Sequence, residues 1–137
     1  MNQKPTDVDL IIPMIPEMEL TASKTAEAVG TFMGLGTDQI DEIKIALIEA
    51  CINSFEHSQS QDGRVGINFE ISPDQLSIQI SDEGQGFDLD KVRTEVRNRR
   101  ERNDKRGWGL QIMQELMDEV SIASGDSGTT ITMIKYR

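Results

Sequence analysis

The sequence predicts an α+β fold, a two-layer sandwich in which one mixed, mostly antiparallel sheet is covered by three helices. Three observations predict it. "RVGINFEI" (64–71) and "QLSIQISD" (75–82) alternate apolar and polar residues around an "SPDQ" turn, the pattern of an antiparallel hairpin. Two helical stretches stand side by side before that hairpin. One more amphipathic stretch precedes two β-rich segments at the end. Helices therefore cluster, and strands pair locally.

The elements follow in order. "VDLIIPMIP" is β-rich but holds Pro13 and Pro16. Proline has no N–H to give to a ladder, so this is a short edge strand. "ELTASKTAEAVGTFMGLG" is a first helix closed near Gly34 and Gly36. "TDQIDEIKIALIEACINSFEHS" is a second, stronger helix that Thr37 or Asp38 caps, with Asp41 and Glu42 near its positive end. After the hairpin comes a polar, glycine-bounded segment, then the helix "LQIMQELMDEV". "VSIASG" and "GTTITMIKYR" are two final strands around a Gly/Asp turn.

The bulk properties narrow the function. A chain of 137 residues suits one domain, 1–137, with a real core. A net charge of −10 excludes a general nucleic-acid binder. The single cysteine, Cys51, allows no internal disulfide and fits a reducing cytoplasm. It lies among apolar neighbours and reads as a small buried hydrophobe. "MNQKPTDVDL" lacks the features of a signal peptide, and no apolar run approaches a membrane span.

The second helix carries a narrow polar arc. At about 100° per residue, Glu42, Ala46, Glu49, Asn53, Glu56 and His57 share one side, and apolar residues occupy most of the rest. The arc reads either as a wet stripe or as ligands projecting into a cleft. The wide apolar arc and a mid-helix asparagine weigh against a simple wet stripe. Amide and carboxylate oxygens suit Mg²⁺ shared with phosphates, and a carboxylate also accepts a proton. His57 is the only histidine and reads as a helix-end residue.

The segment from Phe87 to Gly107 is basic in an acidic chain. It holds Lys91, Arg93, Arg97, Arg99, Arg100, Arg102, Lys105 and Arg106, eight of the 14 basic residues. Gly84 and Gly86 precede it, and Gly107 and Gly109 open the next helix. Glycines at both ends permit hinge motion and close backbone approach to an anion. A basic flap ending at a helix N-terminus suits a polyphosphate. No Walker loop and no GxGxxG are present.

Four segments, in this order, resemble the motifs of a known superfamily. "EACINSFEH" resembles the N box of the GHKL ATPases (gyrase, histidine kinases, MutL). "DEGQGF" resembles their G1 box and "RGWGL" their G2 box. "GTTITMIKY" is similar to their final Gly-Thr strand. Order, spacing and short length are most similar to the bacterial anti-sigma-factor serine kinases, and "LMDEVSIASGDSGTTITM" is particularly like that branch. The resemblance runs from about Asp9 to the end.

The resemblance implies a Bergerat-type ATP-binding fold, with ATP and Mg²⁺ as cofactors. It implies that Asp82 hydrogen-bonds the adenine amino group, backed by Thr129 and Thr130. Gly84 and Gly86 would let the backbone pass close to the base. Asn53 would ligate Mg²⁺, and Glu49 would be the general base toward a serine hydroxyl. Gly107, Gly109 and Leu110 would give backbone contacts to phosphates, and Lys105 or Arg106 would reach the γ-phosphate. The implied partners are a sigma factor and an anti-anti-sigma protein of STAS type that is phosphorylated on serine. A homodimer is implied, with no direct nucleic-acid or membrane contact. The alternative is a nucleotide-binding partner-switch regulator with little kinase activity. A histidine-kinase piece would need a phosphoacceptor histidine outside the N box, and a gyrase or MutL module would need more chain. The arginine-rich flap, Ser54 after the N-box asparagine, and Trp108 between the G2 glycines depart from the family pattern.

Overall fold

The structure is a computed structural model and describes residues 6–57, 63–82, 109–125 and 128–137. Its elements are β1 (Thr6–Pro13), α1 (Glu19–Met33), α2 (Thr37–His57), β2 (Arg64–Ile71), β3 (Gln75–Asp82), α3 (Gly109–Leu116), β4 (Glu119–Gly125) and β5 (Gly128–Tyr136). The strands form one five-stranded sheet in the order β1-β2-β3-β5-β4. All four pairings are antiparallel, which narrows the expected mixed sheet to a uniform one.

β1 is an edge strand and ends at Pro13, opposite Arg64, so the missing proline N–H costs the ladder nothing further along. β2 and β3 carry the period-two pattern into three dimensions. Val65, Ile67 and Phe69 are buried, as are Leu76, Ile78 and Ile80, all on the helix-facing side. From β5, Ile131 and Met133 join them. Each such large side chain contributes about 2 kcal/mol by leaving water.

The helical layer supplies Ala22, Ala26, Val29 and Met33 from α1, and Ile43, Ala46, Leu47, Ala50 and Cys51 from α2. Met113 and Met117 come from the α3 side. Small residues dominate α1, which lets it lie close against α2. α1 stops at Gly34, whose φ of 77° is left-handed. There the Leu35 N–H reaches the Gly30 carbonyl at 3.0 Å, and the Gly34 N–H reaches Thr31 at 3.1 Å. Cys51 is fully buried, and burial pushes its thiol up to about 12, with Glu19 adding to the shift. It is a packing residue.

α3 ends earlier than its amphipathic pattern suggests. The reading "LQIMQELMDEV" extends the helix to Val120, but the helix stops at Leu116 and β4 begins at Glu119. Pairing with β5 decides this. Asp118 N–H already donates to the Ile134 carbonyl at 2.9 Å, and Glu119 and Val120 pair with Ile134 and Met133. The last turn of α3 is held instead by Lys135, whose Nζ donates to the Leu116 carbonyl at 2.6 Å.

Candidate functional site

β3 delivers Asp82 to the end of the sheet. Leu76, Ile78 and Ile80 face the helices, and period two puts Asp82 on the same side, only 5 % exposed. Thr129 reaches that side from β5 by the same rule, in line with Ile131, Met133 and Lys135, and is 3 % exposed. Two polar side chains therefore lie buried on the helix-facing side, at the same end of neighbouring strands.

Thr130 is placed differently. Alternation turns its side chain to the opposite face of the sheet, where its hydroxyl lies 3.1 Å from Ser81 Oγ. The expectation that Thr130 backs the base contact beside Asp82 and Thr129 is corrected for its side chain. One residue of offset along a strand is enough to exclude it.

Gly128 is the residue that sequence reasoning missed. Its φ is 126°, and a Cβ there would lie 2.2 Å from the Asp82 carbonyl oxygen and 3.2 Å from Asp82 Oδ1. Only glycine allows β5 to start this close to the end of β3. The glycine in front of the threonines of "DSGTT" is visible in the sequence, but its approach to Asp82 is not.

α2 brings the other half. Asn53 is 9 % exposed, and its Nδ2 finds no hydrogen-bond partner among the described residues. A buried amide nitrogen without a partner costs about 1–3 kcal/mol. Glu49, one turn earlier, is half-buried. Burial raises its carboxyl above the ordinary value of 4.5, and the charge of Glu56 adds to the rise. A carboxylate with raised proton affinity is better suited to accept a proton near neutral pH.

The two halves are brought to one end by bonds that tie the start of α2 to the end of β5. Lys135 Nζ bonds Glu42 Oε2 at 2.6 Å, tying β5 to the first part of α2. From there β5 runs back to Thr129 over about 20 Å. α2 runs from Glu42 to Asn53 over about 16 Å. Because α2 lies on the sheet with Leu47, Ala50 and Cys51 in the core, it travels toward the Asp82–Gly128 end. Further support at the start of α2 comes from Gln39, whose Nε2 donates to the Tyr136 carbonyl at 3.2 Å.

The polar arc is thus not one feature. Its Glu42 end is a structural anchor, while Glu49 and Asn53 are left for other use. The apolar arc is also not all inside: Ile45 is 48 % exposed, and Ile48 and Ile52 are partly exposed. α2 is rotated so that Ala46 and Asn53 turn inward and these isoleucines turn outward. The wide apolar arc is therefore only partly buried, on the side where α2 packs against α1 and α3.

Gly109 and Leu110 open α3, and Leu110 packs on the core. Gly84, Gly86, Lys105, Arg106 and Gly107 lie outside the described residues, as does the basic flap. Among the described residues no group of three or more His, Cys, Asp or Glu could hold a metal by itself. A hard cation would need oxygens from elsewhere, as Mg²⁺ does when it is shared with phosphates and waters. Asn53 fits that role through its side-chain Oδ1, while its Nδ2, which has no partner among the described residues, is a donor suited to a phosphate oxygen and not to a cation. Two shallow cavities of about 470 and 310 Å³ open between α1 and the β1–β2 edge. Neither is lined by an acidic side chain. No helix among the described residues is long and apolar enough to cross a membrane.

Comparison with known proteins shows the family and the fold. Residues 15–135 match the histidine kinase-like ATPase domain family. The chain is 33% identical over 136 residues to a Bacillus subtilis protein named serine-protein kinase RsbW, covering 94% of this chain and 84% of that one. It is 34% identical over 141 residues to the protein of the same name from Bacillus velezensis, covering 96% and 88%. Among solved structures, the RsbU and RsbW domains of a Mycobacterium tuberculosis protein superpose with a TM-score of 0.71 at 17% identity. That match covers 95% of this chain and 31% of the other, and it shows the shared fold.

Proposed function

The chain belongs to the histidine kinase-like ATPase family, and from that premise we propose that it is an ATP-dependent serine-protein kinase. The observation that carries the reading is Asn53: a buried amide whose Nδ2 has no partner among the described residues, on the same helix face as Glu49, in a helix that runs toward Asp82, Thr129 and Gly128.

In this reading Asp82 accepts from the adenine amino group, with Thr129 beside it. Gly128 keeps the Asp82 strand end open to the base. Asn53 holds Mg²⁺, which when bound neutralises charge on the phosphates. Gly84 and Gly86 border the base, and Gly107, Gly109 and Leu110 meet the phosphates with backbone N–H groups. Lys105 or Arg106 meets the γ-phosphate. Glu49 takes the proton from the serine hydroxyl. The serine oxygen then forms a bond to the γ-phosphorus, the bond from that phosphorus to the β,γ-bridging oxygen breaks, and ADP leaves with the electron pair. Most of the rate comes from positioning and charge neutralisation.

The relatives' name supports a protein substrate with a serine. The finer proposal is a single-domain, cytoplasmic partner-switching regulator. It restrains a sigma factor, phosphorylates a STAS-type anti-anti-sigma protein, and acts as a homodimer.

Calorimetry of Mg-ATP binding tests the pocket on wild type, Asn53→Ala and Asp82→Asn. Wild type should bind, and each variant should lose tenfold or more in affinity. A phosphoserine assay with a purified STAS-type anti-anti-sigma protein tests the transfer. Binding without phosphoserine would leave a nucleotide-binding regulator and remove the kinase. Equal binding by all three proteins would remove the pocket assignment as well.

A further inference from the structure

The outer face of α2 has a composition that the fold alone does not require. Ile45 is 48 % exposed near the middle of the helix, with Ile48 and Ile52 partly exposed beside it. The core takes Ile43, Leu47, Ala50 and Cys51 from the opposite side, so these three isoleucines are not needed to hold the layers together. On a helix surface, residues three and four apart adjoin. Ile45 lies one turn before Glu49 and Ile52 one turn after it, with Ile48 immediately preceding. The open side of the Glu49 carboxylate is therefore bordered by β-branched apolar side chains. Beyond them, Asp41 and Glu56 are exposed and make the two ends of the strip acidic.

We propose that Ile45, Ile48 and Ile52 form the docking platform for the protein that presents the phosphoacceptor serine. The proposal rests on the kinase reading and names the surface that reading leaves open. The geometry of proton transfer selects the occupant. A general base must come within about 3 Å of the hydroxyl it deprotonates. A serine side chain is one carbon long, so the backbone carrying it must pass close to Glu49. Whatever surrounds that serine then rests on the residues bordering Glu49 on its open side, and those are the three isoleucines. The matching partner surface has an apolar patch around the serine and basic groups further out, facing Asp41 and Glu56. The apolar centre supplies affinity by leaving water, and the acidic ends set orientation and encounter rate.

The test uses the full chain as wild type, Ile45→Ala/Ile52→Ala and Ile45→Leu/Ile52→Leu. Three quantities are measured: Mg-ATP affinity by calorimetry, mass by sedimentation, and initial rates of phosphoserine formation against concentration of the purified STAS-type protein of the assay above. The alanine pair should raise KM for the protein substrate tenfold or more, with ATP affinity and mass unchanged and kcat largely kept. The leucine pair should restore most of the KM. An active wild type with the same protein KM in the alanine pair overturns the platform alone. A change in mass overturns it in favour of a second copy on this face, and a loss of ATP affinity overturns it in favour of another stretch of this chain. A wild type that makes no phosphoserine overturns the kinase reading, and the platform falls with it.

Discussion

The two ends of the polar face of α2 are built on opposite principles. At the Glu42 end the polar groups are matched. Lys135, 7 % exposed, is satisfied by Glu42 Oε2 and by the Leu116 carbonyl, both at 2.6 Å. At the Asn53 end a buried amide nitrogen is left without a partner among the described residues. Both ends cost desolvation, but only the first recovers it within the fold. A protein keeps such a deficit where a ligand makes it good, and function is then retained against stability. The same face of one helix thus serves as a clamp at one end and as an opening at the other.

The largest expected effect tests the open end. Gly128→Ala forces a Cβ onto the Asp82 carbonyl and a side chain into left-handed backbone. It should cost about 3 kcal/mol or more and abolish Mg-ATP binding, read by denaturant melts and calorimetry. Retention of stability and binding would show that the strand ends do not need this approach.

The next pair sets the two ends against each other. Lys135→Met leaves Glu42 and the Leu116 carbonyl without their partner. The Glu42 side chain is 40% exposed, so water recovers part of the loss. The cost should be about 2 kcal/mol, with ATP affinity in the folded protein changed less than threefold. Asn53→Ala should do the reverse. It removes the unsatisfied amide, so melting temperature should hold or rise while Mg-ATP affinity falls. Both variants destabilising equally would erase the distinction between clamp and opening.

The smallest effect on stability concerns Glu49. Its carboxyl is raised in the folded state, so the folded protein holds that proton more tightly than the unfolded chain does. The ionised form therefore costs stability above the folded value. The cost fades as pH falls through that value toward the ordinary 4.5. Glu49→Gln should be slightly more stable than wild type at pH 7, and the gap should close on acidification. Transfer should fall about 100-fold or more in that variant. In wild type it should decline on the acidic side at a pH above the ordinary glutamate value of 4.5.

Much of the fold was legible from local pattern. The hairpin 64–71 and 75–82 has the bounds its alternation indicates, and Gly34 closes α1 where a left-handed residue was needed. The end of α3 was not legible, because helical periodicity continues past Leu116 and only the competing bonds to β5 stop it. Asp82, Thr129 and Asn53 were legible as polar residues in motifs. The opposite orientation of Thr130 follows from period two once Thr129 is known to face inward. The role of Gly128 needed the partner strand, since nothing local to "DSGTT" shows the Asp82 carbonyl.

The sequence by itself determined the element order, the inward faces of the strands, and the residue types available for phosphate and proton chemistry. These depend on short-range periodicity and on side-chain chemistry, and both are written along the chain. The tertiary structure alone decided how α2 is rotated. It also decided that Glu42 is consumed by Lys135 while Asn53 Nδ2 has no partner among the described residues, that Gly128 lies against Asp82, and that three isoleucines border Glu49 on the outside. Each of these depends on contacts between residues distant in sequence, and no helical or strand period carries that information.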